Sequence, residues 1–239
     1  MVQRTHPEQF VAANPFIGLT RLKSTATIQH ATRAEAFALS AAIREHGHPH
    51  LAIVPLVCFE WLQRPENVLA GHLRWSDYRP TDRPNHVRIV HHKTGEIVWH
   101  PLESAGERFY PELESAIAEL TKIAVPIVAT LGERGTARPY SFSYAKRIVR
   151  EARRRAGLSE HITMTACRHG GMTELGDAEL TEQGVMSLSG HRTPDAARGY
   201  IKKTDTQRLA AARKRHAWVA ELEHAQNKSQ NEHRIRESE

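Results

Sequence analysis

Thr165-Ala166-Cys167-Arg168-His169-Gly170-Gly171, followed by Leu188-Ser189-Gly190-His191 and then Tyr200, is the part of this chain that says most about its fold. Its apolar and small residues recur with a helical period over about 165–176 and 182–189, and Gly190 stands where a helix would end. Similar helical patterns occur N-terminal to it at 104–122 and 141–156, and C-terminal to it at 205–226. At 33–46, Thr32 with Glu35 forms a capping-box pattern, and Ala36, Leu39 and Ile43 share one stripe that stops at Gly47. His48-Pro49 opens a further helix through Leu51–Leu62 that stops near Pro65. Pro55 inside it predicts a kink or a later start, because proline removes a backbone bond at a cost of about 3 kcal/mol.

The texture changes between Leu73 and Pro101. Val87, Ile89 and His91 alternate with polar residues, Lys93-Thr94-Gly95-Glu96 reads as a turn, and Ile97 and Trp99 resume the two-residue period. The predicted fold is therefore mainly α with a small antiparallel β-sheet (α+β). Residues 1–30 lack a sustained apolar period and read as a linker or a remnant of a preceding domain, and beyond 226 the polar, charged composition predicts a frayed tail.

The 239 residues are 40% hydrophobic, enough for a normal core, and carry a formal charge of +6, which favours a polyanionic partner. Cys58 and Cys167 are too few and too far apart for a disulfide framework or a zinc site, which fits a reducing cytoplasm. Met1–Phe10 has no signal-peptide core, and the apolar run Leu51–Phe59 is far short of the ~20 residues that span a bilayer, so secretion and membrane insertion are excluded. The histidines His46, His48 and His50, on an expected loop around Gly47 and Pro49, lack the helix-face spacing of a metal site, as does the pair His91-His92. Over 141–156, Ala145, Ile148, Val149, Ala152 and Ala156 share an apolar face while Arg147, Arg150 and Arg154 share a basic one. That basic face suits either solvent or phosphates.

Four separated places carry the chemistry: Gln63-Arg64-Pro65-Glu66-Asn67, His92-Lys93-Thr94-Gly95, Ala166-Cys167-Arg168-His169, and Gly190-His191 nine residues before Tyr200. Each alone has an ordinary structural reading: a salt-bridged arginine, a surface turn, a helix-start arginine, a core histidine and tyrosine. Together, in this order, they resemble the tyrosine recombinase (phage integrase) family over roughly residues 30–215.

The resemblance implies a catalytic domain at 31–215, followed at 216–239 by the end of a helix and a charged tail. It implies catalytic roles for Arg64, Lys93, Arg168, His191 and Tyr200 in site-specific DNA recombination, integrating or excising a mobile element. Two guanidinium forks suit the nonbridging oxygens of a pentacoordinate phosphorus, a lysine can protonate the leaving 5′ oxygen, and a phenol can hold the strand as a 3′-phosphotyrosyl link. No metal, nucleotide or redox cofactor is required. The implied partners are double-stranded DNA and further copies of the chain, with no membrane and no small-molecule substrate. In the family the segment after the tyrosine packs on a neighbouring protomer, and Ala211, Trp218 and Leu222 form a stripe that suits either that role or packing on the chain's own core.

Three departures qualify the resemblance. Thr165 stands where the family usually places a histidine, and reads as a helix N-cap, with His161 or His169 as substitutes. Asn67 replaces a supporting glutamate, a role Glu66 can take from the next position, about 100° away on a helix. Residues 1–30 cannot supply the family's DNA-clamping N-terminal domain. The alternative expectation is a truncated, catalytically impaired DNA-binding remnant.

Overall fold

The computed structural model describes residues 29–237 apart from 92, 94 and 133, so the expected linker lies outside the described residues but for its last two positions. Helix α1 (Arg33–Glu45) has the predicted capping box: the Thr32 side chain accepts the Glu35 N–H, and the Glu35 carboxylate accepts the Thr32 N–H at 2.8 Å. Helix α2 (Pro49–Glu60) contains Pro55 and starts at Pro49, not later, with proline in the first turn, where no backbone N–H is needed. Every residue from His50 to Phe59 is buried. The longest apolar run is thus the central core helix, packed between α1 and α6 (Met164–Asp177). Among the described residues no helix is long and apolar enough to cross a membrane.

The three histidines are not on one loop. His46 ends α1, His48 begins α2, and the Nδ1 of His50, inside α2, contacts the Ile127 carbonyl at 2.8 Å. Helix α3 (Pro65–Leu69) follows, then a short 3₁₀ turn (Trp75–Asp77) and the antiparallel pair β1 (His86–Val90) and β2 (Ile97–Pro101).

The second strand is one residue out of the phase that alternation predicts. The register pairs Ile89 with Val98 and Val87 with His100, so Val98 and His100 share the buried face while Ile97 is 45% exposed. Trp99 lies outside, where the Arg83 guanidinium sits 4.6 Å over its ring.

The helix expected at 104–122 is shorter. Glu103–Ser104 (β3) and Glu107–Arg108 (β4) form a small hairpin with Ala105 and Gly106 at positive φ, and α4 begins only at Pro111 and ends at Ala118. A third short pair, β5 (Thr130–Leu131) with β6 (Ala137–Arg138), precedes α5 (Phe142–Arg155). Ala145, Ile148, Val149 and Ala152 of α5 are buried as predicted, whereas Ala156 caps the helix end and is exposed. Then come α6, α7 (Glu182–Ser189), α8 (Pro194–Arg198) and α9 (Asp205–Glu237). Helix α9 continues past 226, where composition predicts fraying. Ala211 and Trp218 do not fold back on the core, since every described side chain of α9 from 211 to 221 is exposed. The side chain of Leu222 lies outside the described residues.

Candidate active site

Helix α6 carries the site's deepest charge. Its N-cap is Thr163, whose Oγ1 accepts the Ala166 N–H at 3.0 Å. Thr165, expected to be the cap, is inside the first turn and exposed. A Cβ added at Gly170 or Gly171 would collide with the carbonyl oxygen of Ala31 or Phe59, so the glycine pair lets α6 lie directly against α2 and the segment leading into α1. That close approach buries Arg168 to 1% exposure.

The Arg168 Nε and Nη1 are buried without a hydrogen-bond partner, and Nη2 lies 3.4 Å from the His191 Nε2. Burial, and then the charge of Arg64, push the Arg168 pKa down to about 10, so the guanidinium stays charged at neutral pH. A buried, unpaired cation of this kind is costly, and a bound anion would remove the cost.

His191 follows Gly190, which takes the left-handed conformation (φ +66°) at the end of α7. A Cβ at Gly190 would stand 2.8 Å from Val98 and 2.9 Å from the His91 ring, so the glycine lets this corner seat against the β1–β2 hairpin. The His191 Nδ1 is 2.7 Å from the Ser189 Oγ. Burial, and then Arg168 and Arg64, lower the His191 pKa to about 4. The ring is therefore neutral at pH 7, with Nδ1–H donating to Ser189 and Nε2 accepting from Arg168.

Arg64 stands at the N-cap of α3 with Pro65 behind it, half-buried, and makes no ion pair among the described residues. The Asn67 amide donates to the Val90 carbonyl at 3.1 Å, tying α3 to β1; Glu66, on the next position, is exposed. Lys93 is exposed in the turn that Gly95 and Glu96 close onto His91 through bonds of 2.7 and 2.8 Å. These elements enclose a cavity of about 470 Å³ whose lining includes Arg64, Lys93, Thr165, Arg168, His169 and Tyr200.

Tyr200 lies within contact of three of these groups. Its ring stacks on His169 at 4.6 Å, is 5.1 Å from the His191 ring, and has the Arg168 guanidinium carbon 5.1 Å from its centre. The segment bearing it is bound to α6: the Thr173 Oγ1 reaches the Tyr200 carbonyl at 3.4 Å and accepts the Lys202 N–H at 3.3 Å. Gln207 and Thr204 donate to Asp177 at 3.0 and 2.5 Å. Tyr200 thus lines the cavity of its own chain together with Arg64, Lys93 and Arg168, and His191 reaches the group through its contacts with Arg168 and Tyr200.

Sequence reading missed Thr173 and Asp177, although His169, Thr173 and Asp177 recur every four residues along one face of α6, which was a usable signal. Of the two substitute histidines, His161 is elsewhere, against Glu35 at 3.2 Å and Ser159 at 2.8 Å. His169 is in the cavity.

A second cavity of about 480 Å³ adjoins the first and shares Thr165 with it. Lys146, Arg147 and Arg150 of α5 line it.

Neither a protein-family model nor a curated protein matches the chain. Solved structures do. A lambda integrase dimer bound to a COC′ core site is 18% identical with a TM-score of 0.60, over 84% of this chain and 55% of that one. XerA recombinase is 15% identical with a TM-score of 0.57, over 84% and 68%. The Tn1549 transposon integrase in complex with transposon right end DNA is 15% identical with a TM-score of 0.55, over 90% and 75%. The fold is that of the tyrosine recombinase catalytic domain, as the resemblance predicts. The chain spans little more than half the length of the lambda integrase it matches.

Proposed function

We propose that this chain is a DNA strand-breaking and rejoining enzyme, a site-specific recombinase or integrase that works through Tyr200 in the integration or excision of a mobile element. The observation that carries this reading is the buried Arg168 guanidinium beside Tyr200, whose Nε and Nη1 have no hydrogen-bond partner and which no carboxylate pairs among the described residues, in a cavity that Arg64 and Lys93 also line.

A phosphodiester seated there receives Arg168 and Arg64 on its nonbridging oxygens, where charge builds as phosphorus becomes pentacoordinate. The Tyr200 Oη bonds to phosphorus and the bond to the 5′ oxygen breaks. Lys93 gives that oxygen its proton, and the phenol's proton leaves to water, since the Thr165 hydroxyl is too weak a base to take it. His191, neutral and held by Ser189, donates nothing through Nε2 and instead orients Arg168 against the phosphate. The 3′-phosphotyrosyl link keeps the bond energy for rejoining. Residues 31–215 make up the catalytic domain in this reading, with 216–239 as a C-terminal extension, and the enzyme acts in the cytoplasm.

The basic cavity of α5 continues the path for the DNA backbone away from the scissile phosphate. The neighbouring folds include a lambda integrase tetramer bound to a Holliday junction. Leu209, Trp218 and Val219 leave α9 with exposed apolar surface at 52%, 60% and 38%, suited to a second copy of the chain.

The test is trapping on nicked duplexes from the ends of the element that carries the gene. A denaturation-resistant protein–DNA band that Tyr200→Phe abolishes is expected. DNA binding that depends on Arg168, with no band from the unaltered chain, would replace the enzyme by a DNA-binding protein without strand cleavage.

A further inference from the structure

Thr165 leaves the cavity without the histidine that the family usually places three residues before Arg168, and His169 is the imidazole nearest to the nucleophile. His169 is 4% exposed and its ring lies 4.6 Å from that of Tyr200, with the two planes only 23° apart. Its Nδ1 is buried without a hydrogen-bond partner.

We propose that His169 is a positioning residue for Tyr200, holding the phenol by its face so that the hydroxyl is presented to the phosphate held by Arg168. The proposal deepens the recombinase reading and rests on it for its kinetic consequence.

The geometry excludes the more obvious role of proton acceptor. An imidazole nitrogen accepts in the plane of its own ring, and that plane runs nearly parallel to the phenol, so the ring nitrogens aim past the Tyr200 hydroxyl. What a stacked ring does supply is restraint. A half-buried tyrosine on a connector between two helices can turn about its side-chain bonds, and aromatic stacking worth about 0.5–1.5 kcal/mol beyond burial selects one orientation.

The surroundings keep the ring uncharged. Burial, and then Lys202, bring the His169 pKa down to about 4, with Arg168 and His30 adding to the effect. Stacking is therefore between two neutral rings at working pH. His169 also sits one helical turn before Thr173, whose hydroxyl reaches the Tyr200 carbonyl, so α6 meets the Tyr200 ring and backbone at successive turns.

The experiment uses the full chain in two arms. In the first, ¹³C-labelled tyrosine ring signals are recorded by NMR, with Tyr200 assigned from Tyr200→Phe. His169→Asn is expected to shift the Tyr200 signals and abolish the ring-current displacement from the imidazole, and His169→Phe to preserve a displacement of the same sign. Unchanged Tyr200 signals in His169→Asn would overturn the proposal.

In the second arm, single-turnover adduct formation on nicked DNA is expected to slow about 100-fold in His169→Asn at unchanged DNA affinity, and His169→Phe to recover to within about tenfold of the unaltered chain. A phenylalanine variant as slow as the asparagine one would show that the imidazole's chemistry, not its stacked face, is what matters, and would sink the proposal. Failure of the unaltered chain to form any adduct bears on the recombinase reading alone; the NMR arm then decides the positioning claim by itself.

Discussion

Two groups of arginines in this chain are treated in opposite ways. Arg79 and Arg108 converge on Glu114, whose carboxylate is 2% exposed: Arg79 donates to it at 3.0 and 2.8 Å, Arg108 at 3.1 and 3.0 Å, and the Tyr78 hydroxyl at 2.9 Å. Both carboxylate oxygens are satisfied, and the group locks α4 to the strands before it. Arg168 is buried more deeply than Arg79 or Arg108, yet it makes no ion pair with a carboxylate among the described residues, and the charge that acts on it most is that of another cation, Arg64. A chain that meets its buried charges so fully at Glu114 leaves Arg168 open where an anion can enter, and it is this contrast that marks Arg168 as the candidate anion-binding arginine.

The largest expected effect comes from exchanging the two. Arg168→Met should slow strand cleavage about 1000-fold, the scale of losing one preorganised charge-stabilising donor, while raising unfolding stability by about 1 kcal/mol because an unpaired charge leaves the core. Glu114→Ala should do the reverse, costing about 1–2 kcal/mol of stability by taking the buried acceptor from the Tyr78 hydroxyl and the Arg108 guanidinium while Arg79 keeps Glu103, and leaving cleavage per folded molecule within a few-fold. Denaturant melts and single-turnover cleavage on the same preparations measure both. An Arg168→Met chain that is strongly destabilised would erase the distinction.

A smaller effect sharpens it. The positive, buried surroundings that await an anion also hold His169 and His191 at about 4, while His100, fully buried, sits at about 3. Each of these pKa values is depressed from an unfolded value near 6.5, so stability from this source is complete above pH ~6.5. It is lost as the pH falls toward 4, where the unfolded chain binds protons that the folded chain excludes. Unfolding free energy should therefore drop steadily between pH 6.5 and 4.5, and Arg168→Met should shallow that drop by removing a cation close to His191. A flat profile over this range would contradict the assigned neutral histidines.

The smallest effect lies outside the cavity. Arg147→Ala and Arg150→Ala, separately, should each reduce the salt dependence of DNA binding by about one unit of log–log slope, as for a single phosphate contact, with no change in the cleavage rate of bound substrate. Equal slopes in variant and unaltered chain would return the basic face of α5 to solvent.

Much of the candidate site was legible because its residues come in ordered, spaced pieces. Arg64, Lys93 and His191 each sit at an element end or a turn that local signals mark, Pro65 after Arg64, Gly95 after Lys93 and Gly190 before His191, and Arg168 lies within α6 just before the Gly170-Gly171 pair. Local signals misled where two conformations compete. Ala105-Gly106 lies within a helix-like pattern, but positive φ at both residues turns the chain into a hairpin, and Thr163 and Thr165 are equally good caps until the packing of the glycine pair sets where α6 starts. The burial of Val98 and His100 in place of Ile97 and Trp99 followed from strand register, which depends on the partner strand.

The sequence by itself determined that this chain is mainly helical with a small hairpin, because periodicity and capping are properties of the chain alone, and its ordered motifs carried the family resemblance that groups Arg64, Lys93, Arg168, His191 and Tyr200 as candidates. Only the tertiary structure decided that Arg168 is buried without a counter-charge, that Glu114 is not, and that His169 lies flat against Tyr200. Each of those facts depends on what other segments bring within a few ångströms, and electrostatic cost and ring stacking are set by those distances, not by the order of residues along the chain.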